Sequence, residues 1–140
     1  MHRFEVRVRY ADIDQMGWVY YANYLRWFEI GRAEMLRSLG TTYRDVERGG
    51  TLLPVLEAHC RYHEGARYDE RVVIETGVAE LHRASVRFGY RIVRENDGEL
   101  LANGSTLHCF LGREGRAGRP PEALQKLLEA APRAEAGSGV

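Results

Sequence analysis

Asn23-Tyr24-Leu25-Arg26-Trp27-Phe28-Glu29-Ile30-Gly31-Arg32-Ala33-Glu34-Met35-Leu36-Arg37-Ser38-Leu39-Gly40 is the stretch that decides the fold. Leu25, Phe28, Met35, Leu36 and Leu39 recur at helical spacing, and Trp27 and Ile30 widen that stripe. Asn23 is the predicted N-cap, because its short side chain can accept from an orphan N–H. Gly40 is the predicted stop, since glycine takes the left-handed conformation that ends many helices. The segment is the one long helix of the chain. It is also unusually apolar, so a sheet is expected to wrap around much of it.

The flanks supply that sheet. On the N-terminal side, Phe4, Val6, Val8 and Tyr10 alternate with Glu5, Arg7 and Arg9, the period of a half-buried strand. On the C-terminal side a short helix is predicted over 43–48, ended by Gly49-Gly50. Strands are predicted over roughly 53–63, 70–81, 84–94 and 100–111. Ala84, Val86, Phe88, Tyr90 and Ile92 alternate with Ser85, Arg87, Gly89, Arg91 and Val93, the clearest alternation in the sequence. Asn96-Asp97-Gly98 reads as a hairpin turn, because these residues tolerate positive φ. Long strands joined by short loops imply an antiparallel meander. Pro120-Pro121 opens a last helix over 122–130. The whole reads as an α+β domain over 1–132, an antiparallel curled sheet around one central helix, with 133–140 as a flexible C-terminal tail.

Composition narrows the function. A chain of 140 residues fits one domain, and 44% hydrophobic residues are enough for a core. Twenty basic and twenty acidic residues give a formal net charge of +0, so a nucleic-acid partner is not expected. Lys126 is the only lysine. The arginine excess fits coding bias, and it also fits phosphate binding. No apolar run approaches the ~20 residues of a membrane span, and the first residues do not read as a signal peptide. Two cysteines, Cys60 and Cys109, are too few for a disulfide framework, so a cytoplasmic setting is expected.

The loop between the first strand and the helix, Ala11-Asp12-Ile13-Asp14-Gln15-Met16-Gly17, carries the chemistry. It sets two carboxylates ahead of a helix N-terminus, where unpaired N–H groups favour negative charge. Such donors can stabilise the oxyanion of a thioester under attack, and a carboxylate can attack the carbonyl or activate water. Spacing alone leaves a second reading open, in which Asp12 or Asp14 only caps a turn.

The segment Tyr10-Ala-Asp12-Ile-Asp14-Gln-Met-Gly17-Trp-Val19-Tyr-Tyr21-Ala-Asn23-Tyr24-Leu25, continued by Arg26-Trp27-Phe28-Glu29, resembles the signature of the 4-hydroxybenzoyl-CoA thioesterase family, including its Tol–Pal-associated acyl-CoA thioesterase branch. The likeness extends loosely to Thr106-Leu107-His108-Cys109 and the Pro120-Pro121 helix. It implies the hotdog fold and hydrolysis of an acyl- or aroyl-CoA to free acid and CoA, with water as second substrate and no cofactor or metal. By the same likeness Asp14 is the catalytic carboxylate, as nucleophile or general base, and Asp12 supports the loop. Gly17 takes the tight turn, and the backbone N–H of Tyr21 is an oxyanion donor. Many relatives carry histidine where Tyr21 stands, so any histidine-dependent proton transfer is absent. The junction Leu81-His82-Arg83-Ala84-Ser85 matches the region that meets the nucleotide end of CoA. Arg83 is its first candidate, followed by His82, Ser85 and Arg87, with a solvated arginine on an exposed strand face as the other reading. The family also implies a homodimer or homotetramer with the active site between subunits. Two alternatives remain: a non-catalytic acyl-CoA or acyl-carrier binding module, and a hotdog dehydratase.

Three tempting features read as structure. Glu29 and Arg32, like Glu34 and Arg37, are spaced for ion pairs on the helix. His59, Cys60 and His63 suggest a metal site, but on a strand His59 and His63 would sit about 13 Å apart, with Cys60 on the other face. His108 and Cys109 alternate faces on the last strand. Trp18, Tyr20, Tyr21 and Trp27 suit either an acyl pocket or the core.

Overall fold

A computed structural model describes residues 1–135. The elements are β1 (His2–Arg7), α1 (Asn23–Ser38), α2 (Tyr43–Arg48), β2 (Val55–Tyr62), β3 (Arg71–Leu81), β4 (Ser85–Arg94), β5 (Leu100–Cys109) and α3 (Glu122–Glu129). All sheet pairings are antiparallel, in the order β1-β3-β4-β5-β2, so the meander β3-β4-β5 forms the centre and the strands flanking α1 in sequence form the two edges. This is the hotdog arrangement: one five-stranded curled sheet holding one long helix.

The alternation along β4 works as read. Val86, Phe88, Tyr90 and Ile92 are fully buried against α1, and Tyr90 stacks on Phe28 with ring centroids 4.3 Å apart. The hairpin turn places Gly98 at φ +73, with its N–H donating to Arg94 O at 2.8 Å. α1 lies very close to the sheet. A Cβ on Gly31 would sit 2.6 Å from Ile74 Cγ2 and collide with Thr76 Oγ1. Gly104 is constrained in the same way from the sheet side, since a Cβ there would lie 2.8 Å from Phe28 Cε2. Gly40 ends α1 at φ +94, donating to Arg37 O at 3.0 Å while Thr41 donates to Leu36 O at 3.1 Å. That pair of bonds is a Schellman closure.

The structure corrects four local expectations. Ala22, not Asn23, is the N-cap of α1, and it offers no side-chain cap. The Asn23 amide instead donates to Asp12 O at 2.9 Å, so tertiary contact takes the group that propensity assigns to capping. Leu25 is 40% exposed, because the buried stripe runs through Tyr24, Trp27, Phe28, Gly31, Met35 and Leu36. Glu34–Arg37 forms the expected pair at 3.4 Å, but Arg32 turns inward and donates to Tyr90 Oη at 3.4 Å. Of the tail expected at 133–140, residues 136–140 lie outside the described residues. The segment before them is tied to the edge of β3 that β1 leaves free: Val78 donates to Pro132 O at 2.8 Å and Ala134 donates to Val78 O at 3.0 Å.

Candidate active site

The loop after β1 folds back on itself as a tight hairpin. Ile13 bridges Val19, Asp14 N–H donates to Trp18 O at 3.0 Å, and Gly17 N–H donates to Asp14 O at 3.0 Å. Closing that turn puts Gly17 at φ +86, a conformation in which a side chain would be strained. Asp14 Oδ1 accepts from Met16 N–H at 2.9 Å, an Asx turn that orients the carboxylate. Its Oδ2 has no partner in the described residues. The turn-capping and chemical readings of Asp14 are therefore compatible, one for each oxygen.

Asp12 is spent on architecture. It is buried, and its Oδ2 accepts from Arg9 N–H at 2.8 Å. Its carbonyl receives both Tyr20 N–H and the Asn23 amide, each at 2.9 Å. These bonds hold the start of α1 against the loop in place of an N-terminal cap. Asn23, Tyr24 and Leu25 donate back to the carbonyls of Tyr20, Tyr21 and Ala22. The N–H groups of Tyr21 and Ala22 find no acceptor among the described residues, the condition expected of the first donors of a helix.

Asp14 and Tyr21 line one cleft of about 370 Å³, with Trp18, Tyr24, Tyr62 and Glu64 also in its wall. Its size suits a small organic group. Tyr24 is buried and packs edge-on against Tyr62, with centroids 5.2 Å apart. Burial pushes both the Tyr24 and the Tyr62 phenol above the ordinary range, so both hydroxyls keep their protons at neutral pH. Tyr62 Oη donates to the Tyr21 carbonyl at 2.9 Å. Of the aromatic residues weighed for a pocket, Trp18 and Tyr21 line the cleft, whereas Trp27 is buried against Tyr24. Tyr62 and Glu64 were not among the residues singled out in the sequence. Nothing local marks them, because they reach the cleft only through the register of β2 on β5.

The proposed CoA-binding residues lie elsewhere. Val86 pairs with His108, whereas Tyr62 lies across from Ala102 and Ile92, six positions further along β4. That is about 20 Å at ~3.3 Å per residue. Within one chain the structure does not bring His82, Arg83, Ser85 and Arg87 to the Asp14 cleft. Arg87 bridges Glu57 at 3.3 Å and Glu80 at 3.7 Å, and also donates to Ser105 Oγ at 3.1 Å. The Arg87 hydrogen bond, aided by His59, holds the Glu57 carboxyl below its usual range. His82 pairs with Glu80 at 3.3 Å. Arg83 is exposed and makes no ion pair among the described residues.

His63 also borders the Asp14 cleft, its Nε2 2.5 Å from Asn103 Oδ1. Among the described residues, no cluster of three histidine, cysteine or acidic side chains is placed to hold a metal ion. His108 is fully buried between Leu53 O, 2.9 Å from Nδ1, and Thr106 Oγ1, 2.8 Å from Nε2. Burial pushes its pKa down to about 4, so the ring is neutral and structural. Among the described residues, no helix is long and apolar enough to cross a membrane.

Residues 8–130 match the model of the thioesterase-like superfamily. The chain is 37% identical to YneP of Bacillus subtilis, provisionally named an acyl-CoA thioesterase, over 79% of this chain and 79% of that protein. Among solved structures, the hypothetical protein TT1821 of Thermus thermophilus superposes with a TM-score of 0.87 at 36% identity, covering 92% of this chain and 98% of that one. A DHNA-CoA thioesterase from Staphylococcus aureus superposes with a TM-score of 0.84 at 30% identity, covering 91% and 87%.

Proposed function

We propose, from the premise that this chain belongs to the thioesterase-like superfamily and is a thioester hydrolase, that it hydrolyses acyl-CoA with Asp14 as its catalytic carboxylate. One observation carries the reading. Asp14, with one carboxylate oxygen uncommitted, shares a cleft with Tyr21, whose N–H lacks an acceptor at the mouth of α1. A thioester carbonyl between them would have an attacking group on one side and a donor for its developing negative charge on the other. A preorganised donor of this kind is worth on the order of 10²–10³ in rate. Gly17 serves by letting the hairpin close tightly enough to hold Asp14 in place.

Two routes use the same atoms. In the first, Asp14 attacks the carbonyl carbon, the C–S bond breaks, CoA leaves as thiolate, and water then hydrolyses the mixed anhydride. In the second, Asp14 takes a proton from water as the water attacks, and the tetrahedral adduct collapses with loss of CoA thiolate. A single turnover in ¹⁸O-water separates them, because only the anhydride route can leave label in the Asp14 side chain. Water is the second substrate, and no cofactor takes part.

The substrate's nucleotide end is assigned to Arg83, with His82, Ser85 and Arg87 around it. The roughly 20 Å along the sheet between this group and the Tyr62 side of the cleft within one chain supports a site built between subunits, in a homodimer or homotetramer. So does the edge strand β2, which ends at the cleft and exposes Val55, Leu56 and Tyr62. The zero net charge speaks against a nucleic-acid partner. Free Cys60 and Cys109 suit a cytoplasmic enzyme.

The deciding experiment is turnover of an acyl-CoA panel by wild type and Asp14→Asn, followed by CoA release with a thiol-reactive dye. Wild type is expected to hydrolyse at least one acyl-CoA, and the folded variant almost none. Wild-type rates in the variant would remove Asp14 from the mechanism.

A further inference from the structure

Asn23 does not cap α1, Ala22 cannot, and Asp12 secures only the Tyr20 and Asn23 side of the turn. The peptide between Tyr21 and Ala22 must be fixed by something else. Its carbonyl accepts a weak local bond from Tyr24 N–H at 3.3 Å and a better one, 2.9 Å, from Tyr62 Oη, 41 positions away. Tyr62 is the last residue of β2, and its ring is braced edge-on by Tyr21 and Tyr24 at centroid separations of 6.4 and 5.2 Å. A rigid ring on a strand end thus reaches across the cleft and holds the backbone at the helix mouth.

We infer that Tyr62 is a positioning residue for hydrolysis: its hydroxyl fixes the Tyr21 carbonyl and, through that residue, the aim of the Tyr21 N–H at the substrate oxygen. The inference rests on the reading of Tyr21 as oxyanion donor given above. The physical argument concerns preorganisation. A donor aimed by two bonds loses little when charge develops on the substrate, whereas one on an uncapped, fraying turn must first be ordered. Removing the hydroxyl leaves the ring and its packing in place, so Tyr62→Phe isolates the hydrogen bond.

The test is steady-state kinetics of Tyr62→Phe on the acyl-CoA that wild type turns over best. A single net hydrogen bond corresponds to about a tenfold change, so kcat is expected to fall about tenfold with KM within twofold. The pH–rate profile should be scaled down without change of shape. A lost or shifted alkaline limb would mean that Tyr62 itself transfers a proton, and unchanged kcat would mean that the bond is idle; either overturns the inference. Amide hydrogen exchange gives a readout independent of turnover. Protection of the Tyr24 and Leu25 N–H groups should drop in Tyr62→Phe, with exchange in β3–β5 unchanged, whereas a general loss of protection would assign Tyr62 to stability alone. If Asp14→Asn keeps its turnover, the parent reading fails. If Asp14→Asn is dead while Tyr62→Phe matches wild type in kcat and exchange, only the present inference fails.

Discussion

The two ends of the sheet treat their polar groups in opposite ways. Where β2 finishes and α1 begins, Asp14 keeps one free oxygen, Tyr21 keeps a free N–H, and both border open space. Where β4 begins and β5 finishes, the groups are tied off. Arg87 lies between Glu57 and Glu80, His82 against Glu80, and His108 between Leu53 O and Thr106. Unfinished hydrogen bonding is expensive inside a fold and useful at a reacting carbonyl. The contrast teaches that the cleft end leaves polar groups open, while at the far end Arg87, His82 and His108 already have partners.

Substitutions at either end can break this contrast. The largest effect is expected at Asp14: Asp14→Asn should lower kcat about 10³-fold, whereas Asp12→Asn should mainly lower the melting temperature. Equal activity losses at both positions would erase the distinction between a reacting and a supporting carboxylate.

At the far end, the buried His108 predicts a pH effect on stability. Its pKa in the fold, about 4, lies below the ordinary 6.5, so the unfolded chain takes up the proton first as pH falls. Its contribution is therefore whole above pH 6.5 and is lost as pH drops towards 4. Urea unfolding should show a loss of about 2 kcal/mol between pH 7 and pH 4.5 beyond that of a His108→Gln control. Parallel curves for the two proteins would contradict the buried neutral ring.

Gly17→Ala adds a Cβ that meets nothing closer than Arg67 Nη1 at 3.6 Å, so its cost is the backbone strain at φ +86. Stability should fall by about 1 kcal/mol, and kcat should fall with it as Asp14 shifts. The smallest effects separate the two arginines: Arg83→Ala should raise KM for acyl-CoA several-fold with little change in kcat. Arg87→Ala should raise KM less than Arg83→Ala does and cost under about 1 kcal/mol of stability, as half-solvated ion pairs do. A KM effect at Arg87 larger than that at Arg83 would mean that substrate displaces Glu57 and Glu80.

The parts of the fold legible in the sequence are those set by local chemistry. The alternation of β4, the Asn96-Asp97-Gly98 turn, the short α2 and the Gly40 stop each depend on a few neighbouring residues, and each is found in place. Misreadings occur where a distant partner claims a local group. Asn23 gives its amide to Asp12, Arg32 abandons Glu29 for Tyr90, and Ala134 fastens to Val78. The site divides in the same way. The loop carrying Asp14 and Gly17 is a continuous motif and could be read directly, whereas Tyr62 enters the cleft from 41 residues away. The sequence likewise lists Arg87 among candidate phosphate ligands, but a string of residues cannot show that Glu57 and Glu80 flank it.

Gly31 lies far from the cleft, yet it sets the height at which α1 rests on the sheet. Any side chain there would act as a shim under a rigid lever, tilting the rod that carries Tyr21 at its tip. Tolerance at the cleft is thus governed partly by the thickness of one missing methyl group ten residues from Tyr21, and variants selected for altered turnover could arise there without touching the substrate.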